Sequence, residues 1–199
     1  TEPAVPGNTI KLTVDSEFQR KIQGVLENFI VYLKENPGDK PQLKNVTSGA
    51  IVVTDVKTGA ILAMATAPTY NMTDYVSNYS DILERPNQPL INRATDGIYR
   101  PGSTFKTITA TAGLNEGAIT PGSTFFCGQT YHYLDITVGC TGYHGNISVA
   151  KAIEVSCNIF FYELSQLLGI NKLTEYASMY GLGKRTGIET GDSAGYIAN

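Results

Sequence analysis

Residues 99–106 read Tyr-Arg-Pro-Gly-Ser-Thr-Phe-Lys, and a helical apolar pattern follows directly. Pro101 and Gly102 punctuate the chain ahead of this pattern, so we expect Ser103 at the start of a helix. A spacing of three places the Lys106 side chain on the same helix face as the Ser103 hydroxyl. A partly desolvated lysine loses some preference for its charged form, so Lys106 can accept the serine proton and activate Ser103 for acyl transfer. The helix N-terminus also favours negative charge near Ser103, and one of its amides could form half of an oxyanion hole.

The pattern Ser-x-x-Lys is not specific by itself, because Ser148-Val149-Ala150-Lys151 matches it as well. For this second match we favour a structural interpretation. Ser148 is suited to the N-cap of a following helix, and Lys151 to a solvated side chain.

A second candidate for the site is Ser156-Cys157-Asn158, which lies between two helical patterns. An amide side chain can donate and accept, so Asn158 could bind both Lys106 and a substrate carbonyl, while Ser156 could pass a proton to a departing amine. The structural alternative is that Ser156 and Asn158 simply cap helices.

The segment Lys57-Thr58-Gly59 joins two apolar, β-rich runs, at 50–56 and 60–66. We interpret it as a hairpin turn in which Gly59 supplies a positive φ. Lys-Thr-Gly is also the third motif of β-lactamases and penicillin-binding proteins, but there it follows the other two motifs. Here it precedes the proposed nucleophile.

The rest of the chain alternates strand, helix and loop patterns without an internal repeat. Strand-like runs precede a helix-rich block, which indicates an α+β fold, or an α/β domain that lacks its end. The predicted elements are a strand at 9–14, a helix from Ser16 to Asn36 with a Ser16/Gln19 capping box, a loop with short helical turns at 68–97, a helix at 103–114, a turn-rich stretch to Asn146, and helices at 148–154, 159–168 and 172–180.

Composition and charge argue against a nucleic-acid partner and against a membrane span within this piece. The 199 residues carry a formal net charge of −3, and no basic cluster is large enough to neutralise several phosphates, so nucleic acid is not an expected partner. No run of about 18 apolar residues occurs, so this piece contains no predicted membrane span. An anchor or signal could lie upstream of it.

The order and spacing of several short motifs resemble those of the transpeptidase domain of penicillin-binding proteins. Within that family the sequence is most similar to class B, or PbpA-like, enzymes. The likeness extends over nearly the whole chain, from the strand and helix at 9–19 onward. The motifs that carry it are Gly59-Ala60-Ile61-Leu62-Ala63-Met64, Asn92-Arg93-Ala94, the segment 99–106, His144-Gly145, 156–161, Gly181-Leu182-Gly183 and Thr186-Gly187-Ile188-Glu189.

This resemblance implies an incomplete penicillin-binding/β-lactamase-like serine transferase fold, with a five-stranded antiparallel sheet flanked by helices. It implies Ser103 as nucleophile, Lys106 as the base for acylation, and Ser156 and Asn158 as the second-motif pair, with no metal or cofactor in the reaction. The third motif has no match, so residues 1–199 would be the N-terminal and central part of one transpeptidase domain, without its C-terminal strands.

The implied activity is acyl transfer from D-Ala-D-Ala stem peptides of peptidoglycan, with β-lactams acylating the same serine. The alternatives are a D,D-carboxypeptidase, in which water is the acceptor, and a β-lactam-binding sensor or non-catalytic scaffold. The resemblance further implies a membrane-anchored parent at the extracytoplasmic face of a bacterial cell. We expect this piece alone to be inactive and to need a companion chain or the missing strands.

Three cysteines and two histidines leave several interpretations open. Cys127, His132, Cys140 and His144 could complete a tetrahedral zinc site, although their spacing fits no recognised finger. A Cys127–Cys140 disulfide or free thiols are the alternatives. We interpret Cys157 as a buried apolar side chain.

Overall fold

The computed structural model describes residues 6–197, which form two compact units that divide after Gly97. Helices and antiparallel strand pairs together form the expected α+β fold. The elements are α1 (Ser16–Glu35), β1 (Gly49–Thr54), β2 (Ile61–Ala67), α2 (Met72–Ser77), α3 (Tyr79–Glu84), α4 (Phe105–Asn115), β3 (Thr124–Cys127), β4 (Thr130–Tyr133), β5 (Ile136–Gly139), β6 (Gly145–Ser148), α5 (Val149–Glu154) and α6 (Asn158–Met179).

In the first unit, α1 packs on the antiparallel hairpin of β1 and β2. Its periodic apolar stripe buries Leu26 and Ile30 against Ala65 and Ala67 of β2. The small alanine side chains let the helix lie close to the strand. The predicted hairpin is therefore confirmed, and Gly59 has the positive φ of 74° that its turn requires.

The start of α1 differs from the predicted capping box. Asp15, not Ser16, is the N-cap, and its carboxylate accepts the backbone N–H of Phe18 at 2.7 Å. Gln19 instead bonds both backbone groups of Met64, donating to the carbonyl at 2.7 Å and accepting from the amide at 2.7 Å. A side-chain amide has the same donor and acceptor pair as a peptide, so it can act as an extra partner for the edge of β2.

The predicted strand at 9–14 is wrong, because these residues form no ladder with β2. Two isolated bonds hold the segment, from the Thr13 hydroxyl to Ile61 and from the Asp15 amide to Leu62. Ile10 and Leu12 remain exposed. The apolar side chains of the alternating pattern are therefore not covered by another element.

The long segment after β2 is a loop with short helical turns, as predicted. It contains α2 and α3, which Arg85 links by ion pairs to Asp74 at 3.1 Å and Asp81 at 2.7 Å. Both pairs are partly solvated, so they orient the turns more than they stabilise them.

In the second unit, α4 packs against α6. The core is built around Phe160 and Leu164, which are fully buried, with Ile119 and Ile147 beside them. The buried face of α4 includes Ile108 and Ala112 together with Thr109 and Gly113, while Leu114 is 39% exposed. Small residues let the two helices approach closely there.

The stretch between α4 and α5 contains four short strands where the sequence predicted only turns. β3 pairs with β6, and β4 pairs with β5, in both cases antiparallel. Each strand has four residues, mostly polar or half-exposed, so periodicity gives little signal.

The predicted helices at 159–168 and 172–180 are confirmed as two halves of α6. Gly169 interrupts them with φ 71° and ψ 166°. None of the helices within residues 6–197 combines the length and hydropathy needed to cross a membrane.

Candidate active site

Ser103 lies in a 3₁₀ turn, Gly102–Thr104, that leads directly into α4. Gly102 has φ 58°, a left-handed conformation that costs other residues about 1–2 kcal/mol. This turn redirects the chain so that the exposed Ser103 precedes the helix by two residues. The sequence prediction of a serine at a helix beginning is thereby confirmed.

Lys106, on the first turn of α4, donates to three oxygen atoms of the second-motif segment. Its Nζ lies 2.7 Å from the Ser156 carbonyl, 3.0 Å from the Ser156 Oγ and 2.7 Å from the Asn158 Oδ1. An ammonium group has three N–H donors, so all three are used. The Phe161 ring, 5.8 Å away, covers another side of the amine.

Ser156 occupies an uncommon backbone conformation, with φ 52°. It follows the end of α5, where the Cys157 amide donates to Ala152 at 2.8 Å and the Ser156 amide to Ile153 at 3.1 Å. This pair of bonds is a Schellman motif, and its left-handed position usually holds glycine. A serine here turns both its carbonyl and its hydroxyl towards Lys106.

The Ser156 hydroxyl links the lysine to the predicted nucleophile. It donates to the Ser103 Oγ at 3.0 Å while it accepts from Lys106. A continuous chain of hydrogen bonds thus runs from Ser103 through Ser156 to Lys106. The four predicted site residues come together, because Asn158 joins at the lysine.

Asn158 begins α6, and the oxygen and nitrogen of its side-chain amide bond different partners. Oδ1 accepts from Lys106, while Nδ2 donates to the Gly139 carbonyl at 3.1 Å. Gly139, the last residue of β5, was not predicted to take part. No motif marks it, because it acts through its backbone carbonyl.

The partial burial of Lys106 shifts its equilibrium towards the neutral amine. Burial lowers the pKa of Lys106 below its usual value, and the nearby thiols of Cys140 and Cys157 oppose that shift only in part. Desolvation disfavours the charged form. A lysine with a lowered pKa is deprotonated in a larger fraction of molecules at neutral pH, and only the deprotonated amine can accept a proton.

The second Ser-x-x-Lys match and the Lys-Thr-Gly segment each have local partners of their own. Lys151 is paired with Glu154 at 2.6 Å on the surface of α5, where Ser148 occupies the N-cap position without a side-chain capping bond. Lys57 and Thr58 lie in the hairpin turn, where their amides donate to the Asp55 carboxylate.

Four cysteine and histidine side chains cluster next to the second-motif segment. The potential ligand atoms of Cys127, Cys140, His144 and Cys157 all lie within 4.8 Å of one another. The His144 Nδ1 is 3.3 Å from the Cys127 Sγ and 3.6 Å from the Cys140 Sγ, and the Cys140 and Cys157 sulfurs are 3.7 Å apart.

These separations fit the edges of a tetrahedral zinc site. With bonds of about 2.3 Å to sulfur and 2.0 Å to nitrogen, two sulfurs would be ~3.8 Å apart, and a sulfur and a nitrogen ~3.5 Å. Three thiolates and one imidazole suit zinc and do not suit magnesium or calcium. These four residues could therefore hold a zinc-type ion.

The cluster differs from the predicted set in one member. His132 lies on the β4–β5 hairpin and bonds Thr137 at 2.9 Å, while Cys157 takes its place. All three cysteines are free, so the Cys127–Cys140 disulfide is not formed. Cys157 is buried, as predicted, but its sulfur neighbours were not predicted, because they are distant in sequence.

Residues 49–199 match the penicillin binding protein transpeptidase domain. With a serine and a lysine linked through a second-motif serine and asparagine on an α+β scaffold, the chain belongs to the penicillin-binding protein transpeptidase family. The expected family is thereby confirmed.

The chain is similar to proteins named peptidoglycan D,D-transpeptidase. The peptidoglycan D,D-transpeptidase MrdA of Salmonella typhimurium (strain LT2) is 35% identical over 199 residues, covering 94% of this chain and 29% of the relative. The chain thus spans less than a third of that relative's length.

Solved structures are similar as well. PBP2 of Pseudomonas aeruginosa in complex with WCK 5153 has a TM-score of 0.79 at 29% identity, over 98% of this chain and 42% of that one. A chain from a peptidoglycan synthase complex that coordinates polymerization and crosslinking has a TM-score of 0.82 at 32% identity, over 94% of this chain and 34% of that one.

Proposed function

We propose that this chain carries the nucleophile and base of a peptidoglycan D,D-transpeptidase. The observation that supports this most is the hydrogen-bonded chain Ser103–Ser156–Lys106, with Asn158 on the same amine. Ser103 is the nucleophile and Lys106 the base for acylation. The activity for which the relatives are named supports the same reaction class.

The proton path follows from these contacts. A neutral amine has two N–H donors and one lone pair, so Lys106 can donate to the Ser156 carbonyl and to Asn158 while it accepts from the Ser156 hydroxyl. As Ser103 attacks a carbonyl carbon, its proton moves to the Ser156 Oγ, and the Ser156 proton moves to the Lys106 Nζ. The resulting ammonium then returns a proton, again through Ser156, to the amine that leaves.

Asn158 has two roles in this proposal. Its Oδ1 holds Lys106 in place, and its Nδ2, now on the Gly139 carbonyl at 3.1 Å, can turn towards a substrate peptide carbonyl. The substrate is a stem peptide that ends in D-Ala-D-Ala, and the acyl group passes from Ser103 to an amine of a neighbouring stem. A β-lactam would acylate the same hydroxyl.

The surroundings of this enzyme are also proposals. We place the site at the extracytoplasmic face of a bacterial membrane, where peptidoglycan is assembled, in a membrane-anchored parent. Residues 1–199 supply the first two motifs of one domain, and strands with the third motif come from a further segment or a companion chain. The similarity to a chain of a peptidoglycan synthase complex favours assembly with a partner.

Acylation by a fluorescent penicillin tests the nucleophile. In the full-length protein, Ser103→Ala should abolish covalent labelling, and Lys106→Ala should slow it by about 10²–10⁴-fold. The second Ser-x-x-Lys provides matched controls, because Ser148→Ala and Lys151→Ala should label at the unchanged rate. Labelling that survives Ser103→Ala, measured by gel fluorescence and mass spectrometry, would overturn the assignment.

A further inference from the structure

The hairpin of β4 and β5 ends at one of the partners of Asn158. These strands pair with each other and with no third strand among residues 6–197. β5 ends at Gly139, whose carbonyl accepts from the Asn158 Nδ2 at 3.1 Å. Because a two-stranded hairpin is only marginally stable by itself in water, its position depends on what it packs against.

One face of this hairpin is apolar. Tyr131 lies opposite Val138 and Tyr133 lies opposite Ile136, so these four side chains share a face, because alternate residues of a strand point the same way. Tyr131 packs against the core cluster that contains Phe160. Tyr133 and Ile136, nearer the tip, are 47% and 53% exposed. The hairpin is therefore held to the core through Tyr131.

Three residues of α6 meet the hairpin along a single helix face. Asn158, Tyr162 and Gln166 follow one another at intervals of four residues, a spacing that aligns side chains on a helix. The centroids of the Tyr162 and Tyr131 rings are 5.6 Å apart, and the Gln166 Nε2 donates to the Tyr131 hydroxyl at 2.6 Å. Asn158 and the partners of Tyr131 thus belong to one docking surface on α6.

The base of the hairpin is fixed separately, at Cys140. The Cys140 amide donates to the Gln129 carbonyl at 2.8 Å, and the Cys140 Sγ accepts from the Asn158 amide at 3.2 Å. Gly139 is the next residue above this point. If the hairpin tilted away from α6 about its base, the Gly139 carbonyl would change direction. The contacts of Tyr131 with α6 oppose such a tilt.

The direction of the Gly139 carbonyl matters because a side-chain amide has two unlike ends. The Asn158 Oδ1 accepts from the Lys106 Nζ at 2.7 Å, while Nδ2 donates to Gly139. If the amide turned over, its NH₂ would face the N–H groups of Lys106 and its oxygen would face the Gly139 carbonyl, and both contacts would be repulsive. A fixed Gly139 carbonyl therefore selects the orientation that offers Lys106 an acceptor.

We propose that Tyr131 and Gln166 are positioning residues for Asn158, because they dock the β4–β5 hairpin on α6 and so hold the Gly139 carbonyl against the Asn158 side-chain amide. The consequence for acylation rests on the proposed function, whereas the docking of the hairpin does not. Loss of the docking should lower the second-order rate constant of acylation about 10-fold, because small displacements of a catalytic group cost at least that much.

Conservative substitutions in the full-length protein test the positioning role. Tyr131→Phe and Gln166→Met each remove the hydrogen bond and keep a side chain of similar size. Both should react with fluorescent penicillin about 10-fold more slowly, with an unchanged final labelled fraction. Tyr133→Phe is the matched control and should label at the full rate, because its hydroxyl has no hydrogen-bond partner among residues 6–197. Full-rate labelling of Tyr131→Phe, or a lower labelled fraction at an unchanged rate, would overturn the positioning role.

A double-mutant cycle separates the positioning of Asn158 from general damage to the fold. Asn158→Ala has no amide to orient, so adding Tyr131→Phe to it should slow labelling no further. If Tyr131→Phe slowed labelling equally in both backgrounds, it would act by a route that does not involve Asn158, and the proposal would be wrong.

Hydrogen–deuterium exchange measures the docking without any acylation. The amides of residues 130–139 should exchange faster in Tyr131→Phe and in Gln166→Met than in the unmodified protein or in Tyr133→Phe. Unchanged exchange would show that these two side chains do not hold the hairpin. Faster exchange in a protein that never labels would support the docking and contradict the proposed function instead.

Discussion

At the scale of single residues, Ser156 combines two demands that conflict. Its hydroxyl connects Ser103 to Lys106, while its backbone has φ 52° at a Schellman position where glycine is favoured. A left-handed conformation costs a residue with a Cβ about 1–2 kcal/mol. Strain of this kind is often found at functional sites, where it is retained for the sake of geometry.

We therefore predict that two substitutions of Ser156 differ in stability but lose activity to the same extent. Ser156→Gly should unfold with a free energy about 1 kcal/mol higher than that of Ser156→Ala, because only glycine relieves the positive φ. Both variants lack the hydroxyl, so both should be acylated by penicillin about 10²-fold more slowly than the unmodified protein. Urea unfolding and labelling kinetics measure the two effects. Equal stability of the two variants would show that the backbone is not strained there.

The candidate site residues could be named from the sequence because they lie in short motifs that follow one another in a characteristic order. The first pattern alone was not specific, since Ser148 and Lys151 match it as well as Ser103 and Lys106 do, and only the surrounding motifs separated the two matches. Gly139 contributes a carbonyl, and no sequence pattern marks a carbonyl. The thiol neighbours of Cys157 come from residues 17 and 30 positions earlier along the chain, a distance that only the fold closes.

At the scale of elements, the contact between α4 and α6 sets the position of Lys106 relative to the second-motif segment. Gly113 makes this contact close, since a Cβ there would lie 2.8 Å and 2.9 Å from the two methyl carbons of Leu164. Leu164 is fully buried, so it has little room to move. The sequence predicted both helices but not this contact, because a glycine within a helical pattern gives no indication of its partner.

A matched pair of glycine substitutions tests this packing. Replacing glycine by alanine in an exposed helix interior stabilises the folded protein by about 0.5–1 kcal/mol. Gly24→Ala in α1 should do so, because nothing lies within 4 Å of its added Cβ. Gly113→Ala should instead destabilise by about 1–3 kcal/mol through overpacking. Denaturant titrations of both variants give the sign of each change in the free energy of unfolding. A stabilised Gly113→Ala would mean that α4 and α6 can separate at little cost.

At the scale of the whole molecule, the hairpin of β1 and β2 is a small sheet whose apolar surface is only partly covered. Within residues 6–197 these strands form a sheet with each other and with no third strand. One face is covered by α1, but Val52 on β1 is 46% exposed, and Val25 and Phe29 on α1 are more than half exposed. Unpaired strand edges next to apolar surface promote association. The expected fold class was easy to predict from element order, but only the coordinates show how much apolar surface the hairpin leaves uncovered.

We therefore predict that a 199-residue polypeptide of this sequence associates with itself in solution. The open edge of β1 offers backbone donors and acceptors to a second copy, and Val52 offers an apolar contact beside them. Val52→Lys should reduce the association, because charged side chains on edges oppose strand pairing. Lys151→Ala serves as a control that should leave the association unchanged, because Lys151 is an exposed side chain of α5 and lies far along the chain from β1. Light scattering after size-exclusion chromatography measures the mass, and a monodisperse monomer that unfolds cooperatively would contradict the prediction.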